Sequence, residues 1–262
     1  MKNYLLKKAG LKMKNLERKK FKRLGINFLI LIVFISQMLI VTGQSFSKSF
    51  LESKLPLSYI MDTYLFISLL INPILISSLV KKVLEIEEKN KMWQMQIILG
   101  EKVNSILLNK FKNLSLRLIF LQIIEALTFI ILAMKSKNFT FNNEMILRFL
   151  IVNLSAIIIN LFFLGFFMII EMKTKKVYTL SFISIVGGLT GVITMLTSEI
   201  LSFINPFAWM ASLLNISYVK EGGKFVQVLN PINFYTLIIA LIFLIASIYY
   251  IKTMKSYNLY KD

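Results

Sequence analysis

Six long apolar runs divide this sequence, and they constrain its fold more than any other feature. The runs cover residues 25–43, 57–80, 116–134, 145–170, 179–198 and 234–251. A helix of about 20 apolar residues crosses the hydrocarbon core of a bilayer, where every backbone polar group must be satisfied inside the protein. The sequence therefore predicts an all-α polytopic membrane protein with six transmembrane helices, and residues 1–262 are expected to form one transmembrane domain.

The composition agrees with this prediction and excludes several classes of function. Hydrophobic residues make up 56% of the chain, which contains neither cysteine nor histidine. Thiol catalysis, histidine-based triads and the common zinc sites are thus excluded. The net charge of +18 does not indicate a nucleic-acid partner, because the basic residues cluster beside the apolar runs, as membrane topology requires.

The distribution of basic residues predicts the orientation in the membrane. With the N-terminus inside, the inner segments hold 24 lysines and arginines and the outer segments hold 7. Cytoplasmic loops carry such an excess, so we expect both termini in the cytoplasm and the protein in the cytoplasmic membrane. Residues 1–24 alone hold ten basic residues. They form either a basic helix on an anionic leaflet or a solvated tail.

The longest polar interval, residues 81–115, predicts two short amphipathic helices on the inner side. Val83, Ile86 and Trp93 share one face of the first helix, and Gly100 breaks it before the second begins. Such helices need lipid headgroups or a soluble partner to pack against. The chain has no G-x-x-x-x-G-K-[ST] motif, so any ATP is bound and hydrolysed by a partner chain, and the protein needs no cofactor of its own.

The last outer segment, residues 199–233, is expected to form a re-entrant or interfacial hairpin followed by a loop. Its first part is apolar, is interrupted by Pro206, and is too short to cross the bilayer and return. Trp209 is expected at the depth of the headgroups. Residues 221–224 are expected to form a plain turn.

Two acidic residues in the apolar runs are candidates for a substrate path. Glu125 lies in the middle of the third run, where an ionised carboxylate costs on the order of 3 kcal/mol. It is either a polar or proton-titrating group on a substrate path, or a protonated or paired residue that holds helices together. Asp62 lies near the outer end of the second run. It is either part of the substrate path or a residue that only faces water at the outer opening of that path.

Gly187 and Gly191 have the G-x-x-x-G spacing that lets helices approach closely. Helix packing within the chain and a dimer interface with a second subunit are both compatible with this motif.

The inner segment after the second run contains an acidic pair, a polar-aromatic pair, an apolar pair and a basic residue: Glu87-Glu88-Lys89, Trp93-Gln94, Ile98-Leu99 and Lys102. With this motif, the layout of the chain resembles the permease subunit of type 2 ABC exporters. In size and texture it resembles the lantibiotic-immunity and bacitracin-resistance permeases. Gly100-Glu101 departs from the small or proline residues that relatives more often have there. The Pro-containing hairpin at residues 204–209 also fits the family.

The resemblance implies a dimer of identical or paralogous permeases with two cytoplasmic ABC ATPase subunits. The inner segment would act as a coupling helix in an ATPase groove, with Glu87, Glu88, Trp93 and Lys102 as coupling residues. The implied activity is export of a peptide antibiotic for self-immunity.

Three alternatives remain open from the sequence. The first is a permease of the same type for another cargo, such as a drug, an ion or a lipid-linked glycan. The second is a membrane immunity protein that works without ATP. The third, an intramembrane enzyme, is disfavoured because the sequence has no G-x-S-x-G motif and no pair of intramembrane aspartates.

Overall fold

The computed structural model of the protein describes residues 24–89, 92–140, 142–174, 178–221 and 224–254. The helices of this part are α1 (Ile26–Gln44), α2 (Lys48–Leu51), α3 (Pro56–Lys89), α4 (Met92–Ile98), α5 (Val103–Ala133), α6 (Asn143–Thr174), α7 (Thr179–Thr197), α8 (Glu199–Ile204) and α9 (Phe234–Thr253). Six of them, α1, α3, α5, α6, α7 and α9, are long and apolar enough to cross a membrane. The prediction of a six-helix, multi-pass membrane protein is confirmed. The basic segment 1–23 lies outside the described residues.

Helices α3 and α6 form the centre of the bundle. In each of these two helices, 61% of the most apolar 18-residue stretch is buried inside the protein. The corresponding share in the other four long helices is 22–33%. Polar side chains tie the outer helices to this centre, as in the 3.0 Å contact between the hydroxyls of Ser77 on α3 and Ser184 on α7. The outer faces carry exposed apolar side chains such as Phe28 and Phe120, as expected of surfaces that face lipid.

Two of the long helices extend well beyond the predicted runs. Helix α3 continues past residue 80 to Lys89, and α5 begins at Val103 rather than near residue 116. Val83, Leu84 and Ile106 are buried, so the apolar stripe keeps packing where the sequence becomes polar. The polar interval therefore consists of two helical extensions with the short helix α4 between them. We call residues 92–102, which include α4, the arm.

The connection between α7 and α9 contains a β-hairpin that the sequence analysis treated as a loop. Strands β1 (Ile216–Glu221) and β2 (Lys224–Leu229) pair antiparallel, with Ile216 opposite Leu229 and Glu221 opposite Lys224. Their alternating valine, isoleucine and aromatic residues favour strands. The Gly-Gly pair at 222–223, outside the described residues, is typical of a two-residue hairpin turn.

The first part of the same connection folds back onto the bundle. Helix α8 leads into two 3-10 turns, Pro206–Ala208 and Ala211–Leu213. The Trp209 side chain is only 2% exposed, and its indole N–H donates to the carbonyl of Phe203 at 2.8 Å. Its ring packs against Phe162 of α6 with 5.2 Å between the ring centroids, so Trp209 is buried in the protein.

Gly187 and Gly191 lie against the turn at Pro206–Ala208 of the same chain. A Cβ atom on Gly187 would stand 2.4 Å from the Phe207 ring, and one on Gly191 would stand 2.7 Å from the Phe207 carbonyl oxygen. The G-x-x-x-G face therefore admits this turn into contact with α7. The contact that the structure provides for both glycines is within the chain.

Gly191→Ala is expected to lower the free energy of unfolding by about 1–3 kcal/mol, because the added methyl overlaps backbone that cannot rotate away. Gly43→Ala is the matched control, since a Cβ there meets nothing within 4 Å. Thermal unfolding of both variants in detergent measures the difference. Equal midpoints for the two variants would show that the turn does not pack against α7 as described.

Candidate functional site

A buried carboxyl group on α5 contacts helix α3 inside the bundle. Glu125 on α5 is 1% exposed, and the Tyr64 hydroxyl of α3 lies 2.7 Å from its Oε2 atom. The same hydroxyl lies 3.0 Å from Oε1 of Gln122, so its single proton is shared between two acceptors. Gln122 donates through Nε2 to Oδ1 of Asn153 on α6, at 3.2 Å. Three helices thus meet at one polar cluster.

A second set of amides lies beside the first. Gln37 of α1 donates through Nε2 to Oδ1 of Asn72 at 2.9 Å, and Asn72 donates through Nδ2 to Oδ1 of Asn160 at 3.1 Å. All three side chains are buried. Members of both sets line one cavity of about 10 Å³, together with leucine and isoleucine side chains; these members are Tyr64, Asn72, Gln122, Glu125 and Asn160. That volume is about the size needed for a single water molecule. We call these seven residues the polar network: Gln37, Tyr64, Asn72, Gln122, Glu125, Asn153 and Asn160.

The size of the cavity beside Glu125 limits which molecules this residue can contact in this conformation. A cavity of about 10 Å³ does not accommodate a peptide. Glu125 therefore borders a wide path only if α3 and α5 separate. Within the described residues, no group of three or more acidic side chains is placed to hold a metal ion.

Tyr64→Phe is expected to destabilise the protein by about 1–2 kcal/mol, because it removes the donor facing two buried oxygen atoms. Tyr59→Phe is the matched control, since the Tyr59 hydroxyl makes one exposed contact with Ser49 at 3.1 Å. Unfolding of both variants in the same detergent gives the comparison. A Tyr64 variant as stable as the Tyr59 variant would contradict the role given to the polar network.

Asp62 anchors the β-hairpin to the bundle. Its Oδ1 atom accepts hydrogen bonds from the backbone and side-chain N–H groups of Asn215, and its Oδ2 atom accepts from the backbone of Ile216, all at 2.8 Å. The buried Arg148 of α6 donates to the carbonyl of Asn230 at 2.7 Å, just after β2. The two charged residues therefore hold opposite strands of the hairpin. Asp62 has backbone partners rather than facing an open mouth.

The arm combines one buried anchor with an exposed apolar surface. Trp93 is 3% exposed and belongs to the core cluster, whereas Met95, Ile98 and Leu99 are 62%, 83% and 74% exposed. Gly100 adopts a φ of 85°, a value that other residues rarely adopt, just after α4 ends at Ile98. We call Met95, Ile98 and Leu99 the apolar patch.

The remaining predicted coupling residues lie around the arm. Lys102 is exposed and occupies the N-cap position of α5 with an extended backbone. Glu87 and Glu88 lie in the last turns of α3, but their side chains fall outside the described residues. Trp93 faces the bundle, so any role in coupling would be to hold α4 in place. The structure thus gathers Trp93 and Lys102 at one end of the bundle, and separates both from Asp62 and the hairpin at the opposite end.

Sequence reasoning missed most members of the polar network and the anchor Arg148. A signal for the network was present, because each transmembrane run involved contains an isolated amide or tyrosine among apolar residues. Polar side chains within transmembrane helices face the bundle interior and bond across helices. Treating these residues together with Glu125 would have predicted a shared cluster.

Comparisons with protein-family models, with curated proteins and with solved structures give no match to this chain. The class of protein is therefore defined by the fold itself: a multi-pass membrane protein with six long apolar helices, an internal polar network and an arm at one end.

Proposed function

We propose that this chain is the membrane-spanning permease subunit of an ATP-driven exporter, moved by a separate ATPase through the arm. The observation that best supports this proposal is that one face of α4 is buried in the core while apolar side chains at its other face and C-terminal end are exposed. Trp93 fixes the helix to the core, while the apolar patch, with exposures of 62–83%, is uncovered by the rest of the described chain. An exposed apolar cluster of this kind marks a site for a partner or for lipid.

The helices on either side of the arm are suited to transmit a push into the bundle. Helix α3 runs without interruption for 34 residues, and α5 runs for 31. At 1.5 Å per residue, the stretch from Asp62 to Lys89, which contains Pro73, spans about 40 Å. Both helices contribute to the polar network, where Tyr64 meets Glu125. Tilting them by force at the arm would open the cavity beside Glu125.

The energy source must lie on another polypeptide in this proposal. The sequence has no nucleotide-binding loop of the P-loop type, so the partner would be a cytoplasmic ABC ATPase that binds ATP. The excess of basic residues on the side of the arm supports a cytoplasmic position for it and for both termini, in the cytoplasmic membrane. A second permease, identical or paralogous, would complete the transporter.

The cargo that fits this proposal is a hydrophobic or amphipathic molecule, and a peptide antibiotic is our choice among such molecules. This choice rests on the sequence resemblance to lantibiotic-immunity permeases. The small cavity at Glu125 leaves the space between two permeases as the route for a peptide. Export of another cargo uses the same machinery, whereas protection without ATP would require no partner at the arm.

Co-purification tests the proposal. The full-length protein is captured from its native membranes in mild detergent, in parallel with an Ile98→Asp variant and a Leu51→Asp control. Ile98 lies in the apolar patch, and Leu51 is 49% exposed at the opposite end of the bundle. We expect a Walker-motif protein with the wild type and with the control, and its loss with Ile98→Asp. A wild-type protein that protects cells and brings no nucleotide-hydrolysing partner would contradict the proposal.

A further inference from the structure

A groove of about 820 Å³ runs between α1 and α5 on the side of the bundle. Its walls are apolar, and its polar groups gather at the end nearest the arm. The walls are formed chiefly by Ile30, Leu31, Phe34, Phe120, Leu121 and Ile124, and the polar end by Asn27, Asn113 and Arg117. The volume lies in the range of about 300–1,000 Å³ that is typical of small-molecule sites.

The polar end of the groove lies near the membrane boundary. Asn27 is in the first turn of α1, whose 19 residues are about 28 Å long, close to the thickness of the hydrocarbon core. Arg117 donates through Nη1 to the side-chain oxygen of Asn27, which fixes its guanidinium at this depth. From Arg117 to Ile124, α5 rises about 10 Å, so the apolar walls descend into one leaflet.

The charged groups that the described part of the chain places at this end are basic. Among the described residues that line the groove, Arg117 is the one with a charged side chain. The ammonium group of Lys82 also lies at this end, 3.8 Å from the position of a Cβ on Gly25. A guanidinium presents its donors in a fork that matches a phosphate group, and basic pockets between transmembrane helices bind anionic headgroups. A molecule with one anionic headgroup and an apolar chain therefore complements the basic end and the apolar walls of the groove.

We propose that this groove binds an anionic phospholipid, with its phosphate at Arg117 and an acyl chain along the apolar walls. The groove opens to the side of the bundle, where Leu31, Leu116 and Phe120 are 50%, 56% and 64% exposed. In a membrane this side meets lipid. A cationic peptide would meet like charge at Arg117. The proposal requires only that the chain spans a membrane, and it is independent of any ATPase.

Photo-crosslinking in vesicles tests the proposal with the full-length protein. Phe120→p-benzoylphenylalanine places a reactive group in the groove, and Leu127→p-benzoylphenylalanine is the matched probe on the same helix, 57% exposed and outside the groove. The vesicles contain equal amounts of phosphatidylglycerol and phosphatidylcholine with identical acyl chains. Mass spectrometry of the intact protein after irradiation identifies each adduct by its mass.

We expect the ratio of phosphatidylglycerol to phosphatidylcholine adducts to be about fivefold higher at position 120 than at position 127. Arg117→Gln should reduce it to the value at position 127. Lys112→Gln removes one exposed positive charge that does not line the groove, and should leave it unchanged.

Equal ratios at the two positions would overturn the proposal, as would an unchanged ratio in Arg117→Gln. A crosslinked dimer formed from the probe at position 120, with twice the mass of the chain, would also overturn the proposal, because a second copy of the chain would then cover the groove. The comparison of the two probe positions needs no change at Arg117, so the test stands even if Arg117→Gln does not fold.

Discussion

Replacing both Ile98 and Leu99 by aspartate is expected to abolish the proposed ATP-driven export, while the protein stays inserted and folded. Both side chains are largely exposed, at 83% and 74%, so little packing within the chain is lost. In the proposed complex they are buried against the ATPase, where an unpaired carboxylate costs several kcal/mol. Uptake of substrate into inside-out membrane vesicles, measured with and without ATP, gives the result directly.

The matched control for this prediction is Leu51→Asp, which changes an exposed leucine in α2 at the opposite end of the bundle. It should export at the wild-type rate. Trp93→Ala is a poorer test of coupling, because Trp93 is buried and its removal costs about 3–5 kcal/mol of packing. Normal ATP-dependent export by the Ile98/Leu99 double variant would show that the apolar patch is not the coupling surface.

Replacing Asp62 with alanine is expected to release the β-hairpin from the bundle. The change leaves three N–H groups of Asn215 and Ile216 without their acceptor. Losing such charge-assisted hydrogen bonds costs about 3 kcal/mol. This loss makes local opening of the hairpin about a hundredfold more frequent. Trypsin cleavage after the exposed Lys220 of β1 measures that opening in detergent.

Asp62→Asn is the matched control for hairpin release, because it keeps the shape of the side chain and one acceptor oxygen. Its cleavage rate should fall between those of the wild type and of Asp62→Ala. If Asp62→Ala were cut no faster than the wild type, the hairpin would be held by Arg148 and its bond to the Asn230 carbonyl rather than by Asp62.

The number of membrane-spanning helices was predictable because the hydrocarbon core sets a minimum length for an apolar run. The helix ends were harder to predict. Val83, Leu84 and Ile106 continue the packing of α3 and α5 into a region that reads as polar by composition. Hydropathy reports where lipid ends, whereas a helix continues as long as neighbouring helices cover one of its faces.

The partners of Glu125 were not predictable from its position in one span. Whether Tyr64 or a lipid tail faces the carboxyl group depends on the rotation of α5 and α3 about their axes, which packing with other helices determines. The amides of the polar network were visible as polar residues in apolar runs, but their pairing was not. Helix rotation also explains why the burial of Trp93 was not predictable. The sequence placed Trp93 on an apolar stripe but did not show that this stripe faces the core.

The β-hairpin was not predicted because the apolar, Pro-containing start of its segment favours a re-entrant or interfacial hairpin. Residues 216–221 and 224–229 nevertheless show the alternation of strands, and the sequence between them is Gly-Gly, a pair typical of short hairpins. Asp62 then has a structural explanation that sequence could not supply, since its partners at residues 215 and 216 lie more than 150 positions away.

Crosslinking from the apolar patch tests the central claim most directly. The chain contains no cysteine, so Ile98→Cys provides a unique thiol for a photoactivatable crosslinker in native membranes. The account predicts a crosslinked product between this position and a polypeptide with a Walker motif, and no such product from Leu51→Cys. Attachment of position 98 to lipid alone, or its labelling from outside the cell by an impermeant thiol reagent, would contradict the account.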